Sequence, residues 1–271
     1  MPTRTETLTA VTQIFETAAY PKGGVNPTCA WLGIYQALLW YEPIVTLPGR
    51  DSLPHIIDAN RLTVRSTKKG EPKVWQKYAI AVESYLATQL DVEPGRVAQM
   101  VDLLMKLPAY EGLQRHNILG SAFAGLMKHV LEQTGNPSLT YELEVSGNNA
   151  FPGVQLPTRT GEPFIDILVR KDGRNIGIIS TKWSIRHDRI NDLTSECRAY
   201  KNAATWTDTK IVYFVATNEF DPARTQKLIE DKCIDGVVHV HKPLVTDVCG
   251  LNNRLNELID LSNLIRLTDS W

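Results

Sequence analysis

The stretch 177–192, GIISTKWSIRHDRIND, ends an apolar run and then sets Lys182, Arg186, His187, Asp188 and Arg189 within eight positions. Side chains two apart on a strand share a face, so Ser180 and Lys182 point one way and Thr181 the other. Asp166 interrupts the apolar run 164–169 of the preceding strand. A carboxylate there is costly unless it is hydrogen-bonded, paired or metal-bound. Directly opposed residues of a hairpin also share a face. Asp166 therefore joins Ser180 and Lys182 if the connection has an odd number of residues or the hairpin carries a bulge. A three-residue loop, Asp172-Gly173-Arg174, would pair 171 with 175 and, by the same sum, 166 with 180. Glu196 lies fourteen positions beyond Lys182. At 100° per residue it falls within about 60° of Leu193 and about 40° of Tyr200, on the border of a buried helical stripe.

Asp, Glu and Lys converging over one strand edge suit phosphodiester hydrolysis. The hard oxygens of Asp166 and Glu196 would hold Mg²⁺, which polarises a phosphate and lowers the pKa of a bound water. Lys182 would orient that water or offset charge building in the transition state. Arg186, Asp188 and Arg189 have the chemistry of a G·C reader, because the arginine fork pairs with guanine O6 and N7 while Asp accepts from the cytosine amino group. The plainer alternatives are a salt-bridged network at a helix start and a structural Asp166–Lys182 pair. His187, His239 and His241 read as ordinary polar contacts, and Trp183, opposite in face to Lys182, as core.

The elements that must position these groups are legible in the pattern. LGSAFAGLMKHVLEQTG sets Leu119, Phe123, Leu126, Met127, Val130 and Leu131 on one helical stripe, with Gly135 as a stop. TYELEV alternates, with Tyr141, Leu143 and Val145 on one side and Glu142 and Glu144 on the other. PFIDILVR and NIGIISTKW are strand-like runs joined by the turn signal KDGRN. A helix follows on the stripe Ile190, Leu193, Cys197, Tyr200 and Ala204, then the wholly apolar KIVYFVA, a strand covered on both faces. A helix near 221–232, the strand GVVHVH and a helix near 251–266 complete this half. Residues 1 to about 110 read as mainly helical, with candidate helices at 5–19, 29–41, 73–90 and 94–106. Arg61, Arg65, Lys68, Lys69, Lys73 and Lys77 surround Trp75 there, as a solvated face or a phosphate-contacting one.

The whole chain of 271 residues has a formal net charge of −1, so it does not advertise a general polyanion binder. Nucleic acid is not thereby excluded, because metal-binding carboxylates offset basic groups. Cys29, Cys197, Cys233 and Cys249 show no C-x-x-C pairing and no zinc-finger spacing with His. They are expected to be free thiols in a reducing compartment. The N-terminal segment lacks a signal-peptide layout, and no apolar run approaches the roughly 20 residues that span a bilayer. The expectation is a cytoplasmic protein without membrane association.

Taken together, FID…STK…E and RHDR resemble a type II restriction endonuclease of the PD-(D/E)xK superfamily, in the branch that cuts CCGG-type palindromes. The resemblance covers the strand order from about 111 to 245. It implies an α/β fold with a restriction-endonuclease-like core, a mixed central sheet flanked by helices; the mainly helical N-terminal region contributes nothing to the resemblance. With the change of pattern near 110, the expected division is residues 1–110, contacting DNA or dimerising, and a catalytic domain at 111–271. In that branch Ser, here Ser180, replaces the usual acid before x-K, and a Glu on the following helix, here Glu196, supplies the missing carboxylate. Asp166, Ser180, Lys182 and Glu196 would then be catalytic, with Asp166 and Glu196 holding Mg²⁺. Arg186, Asp188 and Arg189 would read bases of double-stranded DNA, in a homodimer or higher oligomer matched to the palindrome. Many relatives carry a Glu where this chain has Ala124, and Pro where it has Ile165. Two other functions use the same scaffold: a structure-selective repair or recombination nuclease, with less need of R-x-D-R, and a non-catalytic DNA-binding module.

Overall fold

Alternating and continuous apolar runs build a six-stranded sheet in the order β1 to β6 in this computed structural model. The structure describes residues 3–19, 26–41, 71–93, 115–154, 156, 163–185 and 189–271. Strands β1 (Leu139–Ser146), β2 (Phe164–Lys171) and β3 (Arg174–Lys182) pair antiparallel. Strands β4 (Val212–Thr217), β5 (Gly236–His239) and β6 (Ile259–Asp260) continue from β3 in parallel. Parallel strands need both faces covered, and Tyr213, Phe214, Val215 and Ala216 of β4 are all buried.

The helices are α1 (Arg4–Ala19), α2 (Ala30–Trp40), α3 (Glu71–Leu90), α4 (Arg115–Thr134), the single turn α5 (Gly147–Ala150), α6 (Ile190–Trp206), α7 (Pro222–Ile229) and α8 (Leu261–Leu267). Their starts follow local chemistry. Thr3 and Glu6 form a reciprocal capping box at α1, the Glu6 carboxylate accepting from Thr3 N–H at 2.6 Å. Asp221 caps α7 ahead of Pro222, and Asp260 caps α8 by accepting from Ser262 N–H. The α4 stripe of Phe123, Leu126, Met127, Val130 and Leu131 is buried against the sheet side of the molecule. Helices α1 and α2 join the same hydrophobic core through Val11, Phe15, Ile34, Tyr35 and Leu38. Tyr35 and Phe123 both pack edge-on against Trp183, at ring-centroid distances of 5.9 and 5.3 Å.

Several expectations need correcting. The predicted helix near 251–266 is shorter and later, over 261–267, because Asp260 ends a two-residue strand and begins the helix by capping it. Cys197 and Cys233 are not free thiols: they form a disulfide with a Cα–Cα distance of 6.1 Å, since the turn after α7 lies against α6, where Arg198 pairs with Asp231 and Lys201 donates to the Cys233 carbonyl. Cys29 and Cys249 are unpaired. No helix among the described residues is long and apolar enough to cross a membrane. The predicted helix 94–106, the division near 110, and the side chains of the basic cluster around Trp75 lie outside the described residues.

Candidate active site

The face that Asp166 occupies is decided by the β2–β3 hairpin. Of the two routes the sequence leaves open, an odd loop or a bulge, the structure takes the second: the connection is the two-residue turn Asp172-Gly173, and it pairs Lys171 with Arg174. Both turn residues have left-handed φ, +50° and +75°, as a type I′ turn requires. Carried along unbroken, that register would set Asp166 on the face opposite Ser180 and Lys182. A bulge between Val169 and Arg170 corrects it: Arg170 pairs with Asn175, but Val169 pairs with Gly177, so Ile176 is the extra residue. Beyond the bulge Leu168 faces Ile178 and Ile167 faces Ile179. Asp166 thereby stands across from Ser180.

Three donors converge on one oxygen of Asp166. Its Oδ2 accepts from Thr181 N–H at 2.7 Å, Lys182 Nζ at 2.8 Å and Ser180 Oγ at 3.0 Å. Oδ1 takes no part in these bonds. Lys182 is held in its charged form: burial works against the charge, but the carboxylate of Asp166, with a contribution from Glu196, outweighs it and raises the lysine pKa. Ser180 is buried, whereas Lys182 and Asp166 keep partial access to solvent.

Glu196 projects from α6 between buried neighbours Leu193, Cys197 and Tyr200, and it remains exposed. Among the described residues no hydrogen bond ties it to Asp166 or Lys182. It nevertheless lies within their electrostatic reach. The protein mass around it raises its pKa, Lys182 opposes that, and Asp166 adds to it. Glu196 is thus open to solvent and at the same time coupled to the charges of Lys182 and Asp166. Tyr200 and Tyr213 stack on one another, their rings 6.5 Å apart, and both feel the Glu196 charge.

Arg189 immediately precedes α6, is exposed, and pairs with Asp192 at 2.9 Å. Its charge reaches both Lys182 and Glu196. Arg186, His187 and Asp188 of the R-x-D-R element lie outside the described residues. The chain leading to them is anchored by groups that sequence reasoning missed. Asn218 N–H donates to the Trp183 carbonyl at 2.9 Å. Ile185 N–H donates to the buried Glu219 carboxylate at 2.8 Å, and Arg224 donates to the Ile185 carbonyl at 2.6 Å. The signal was present: Thr217-Asn218-Glu219 is a polar run that follows directly on the apolar residues of β4. Arg4 and Glu144, which meet beside Asp166, were also missed. His239 and His241 lie elsewhere, His241 stacked on Trp31 at 3.7 Å with the Tyr85 hydroxyl 3.0 Å from its Nε2.

Among the described residues, no group of three or more His, Cys, Asp and Glu side chains converges as a ready cage for a metal. The available donors are hard oxygens, the carboxylates of Asp166 and Glu196 with the Ser180 hydroxyl. That set suits Mg²⁺, which binds through one or two carboxylates and completes its shell with waters and substrate phosphate. No family model matches the chain, nor does any curated protein.

Proposed function

We propose that the protein is a Mg²⁺-dependent, site-specific endonuclease that hydrolyses double-stranded DNA at a short G/C-containing palindrome, working as a homodimer. The observation that carries this reading is the convergence of Ser180, Thr181 and Lys182 on a single oxygen of Asp166, with Glu196 charge-coupled from the next helix. The order α4, three antiparallel strands, α6 and parallel β4 supports a restriction-endonuclease-like core under that site.

Asp166 and Glu196 would hold the metal, which activates water and polarises the phosphate when bound. Lys182, kept charged by its surroundings, orients the attacking water and offsets negative charge on the phosphate oxygens. Ser180 and the Thr181 N–H fix the Asp166 carboxylate through Oδ2 and leave Oδ1 available. Arg186, Asp188 and Arg189 follow immediately on the strand end, so base reading and cleavage would be built on one short segment.

Digestion of a mixed-sequence plasmid with Mg²⁺ tests the proposal. Discrete fragments whose sequenced ends share one palindrome are expected. Smearing or structure-limited cutting would replace it with a structure-selective nuclease, and intact DNA with band shifts would replace it with a non-catalytic binding module.

A further inference from the structure

We infer that Arg4, delivered by the first turn of α1, is a phosphate-binding residue of this site, and that Glu144 is its positioning residue. The inference rests on the nuclease reading above and adds to it a contribution from the N-terminal region. In the β1–β2 ladder Leu143 pairs with Ile167 and Val145 with Ile165, which sets Glu144 across from Asp166. Glu144 has a φ of +47°, an uncommon conformation for a residue other than glycine. Its exposed carboxylate forms an ion pair with the Arg4 guanidinium. Arg4 in turn lies within electrostatic reach of Asp166. Asp166 therefore has a cation on each side, Lys182 from β3 and Arg4 against β1.

The placement of Arg4 is poor if stability alone is considered. It is the first residue of α1, where the helix dipole disfavours a positive charge. Burial pulls its pKa down, with the Asp166 charge opposing. Its Nε is buried with no hydrogen-bond partner among the described residues. The packing of α1 nevertheless brings it in. One turn on, Leu8 occupies the space that a side chain at Gly125 of α4 would take, since a Cβ there would lie 2.1 Å from Leu8 Cδ2. Thr7 is buried and accepts from the Tyr41 hydroxyl at 3.2 Å. A helix seated this closely holds Arg4 at the edge of the Asp166 cluster.

A guanidinium with unspent donors is suited to phosphate, because its planar fork binds two oxygens at once. Nη1 stays on Glu144, and the rest of the fork is available to a phosphodiester bound beside Asp166. Glu144 acts through Arg4 by fixing the fork.

The test measures binding of a duplex carrying the mapped cleavage sequence in EDTA, between 50 and 300 mM salt on the order used to count phosphate contacts, alongside cleavage in Mg²⁺. Arg4→Ala is expected to lower the slope of log K against log salt by about 0.9 and to weaken binding by about 10- to 100-fold. Arg4→Gln, which keeps length and polarity, is the second variant should the first fail to fold, with the same expectation. Glu144→Gln is expected to leave the slope and KM near the parent's while lowering kcat, a split that a strut would not produce. Parental slopes in both Arg4 variants of a protein that cuts would overturn this inference alone, as would a lowered melting temperature with the slope unchanged. A parent that neither binds nor cuts would defeat the nuclease reading and this inference with it.

Discussion

Removing the Lys182 amine separates catalysis from stability. In Lys182→Ala the Asp166 carboxylate loses one of three donors to Oδ2 and keeps Ser180 Oγ and the Thr181 N–H. A buried charge-assisted hydrogen bond contributes about 1.5–3 kcal/mol. Here the side chains of Lys182 and Asp166 are 37% and 25% exposed, so solvent screening reduces the pair to about 1 kcal/mol. That corresponds to about 2–4 °C in melting temperature for a chain of this size. The rate effect is far larger: losing a positioned group that stabilises transition-state charge costs about 10²–10³-fold. Thermal melting, a band-shift titration and a plasmid-nicking time course on one preparation read all three quantities. The sign of the pH dependence sets the conditions. Lys182 has a raised pKa, so its pairing stabilises fully below the ordinary lysine value and is lost only as pH rises through the folded one. Melts between pH 7 and 9 therefore compare the same charged state. A fall of more than about 8 °C would make the pair structural. Cleavage within a few-fold of the parent would make Lys182 a bystander.

The second acid gives a reciprocal test: Glu196→Ala should abolish cleavage, and Ser180→Glu combined with Glu196→Ser should restore a measurable part, because both positions flank Asp166 and Lys182. No recovery in a double variant that folds and binds DNA would refute their equivalence. Because Glu196 has a raised pKa, its ionisation in the folded protein is disfavoured as pH rises through the ordinary carboxylate range. Glu196→Gln should therefore not lower stability at neutral pH, and urea denaturation checks this. His239 and His241 are pushed down to about 3 and about 4 by burial. The stability they confer as neutral rings is complete above the ordinary histidine pKa and is lost as pH falls toward those values. His241 alone accounts for about 3 kcal/mol between pH 6.5 and pH 4. Urea denaturation from pH 7.5 to 4.5 should show that loss, reduced in His241→Gln; an unchanged acid limb in the variant would dismiss the histidine.

The Asp166 cluster was legible because two periodicities intersect there. Ser180 and Lys182 share a face by strand alternation alone, and an Asp inside an apolar run must find partners. Glu196 was placed by helical phase, which fixes a direction around the helix axis but not how deeply a side chain sinks; it reaches the cluster's field from an exposed position. The parallel strand β4 and the α4 stripe were readable for the same reason, since burial on one face or both leaves a period in the sequence.

What the sequence concealed is of a different kind. The DG turn signal leaves open whether an odd loop or a bulge sets the face of Asp166, and the bulge at Ile176 that does so leaves no local compositional mark, because an extra isoleucine in a strand looks like any other. The Cys197–Cys233 bond depends on the turn after α7 lying against α6, a contact across 36 positions that spacing cannot reveal. Arg4 is the most instructive case. Thr3-x-x-Glu6 marks a helix start, but nothing near residue 4 marks a partner. Its contact with Glu144 depends on Gly125 admitting Leu8 and on the β1–β2 register setting Glu144 beside Asp166. Each of those conditions belongs to a different segment of the chain. A residue joined to a site only through two such tertiary conditions has no sequence signature of its own, whereas residues joined through one strand or one helix carry theirs in the spacing.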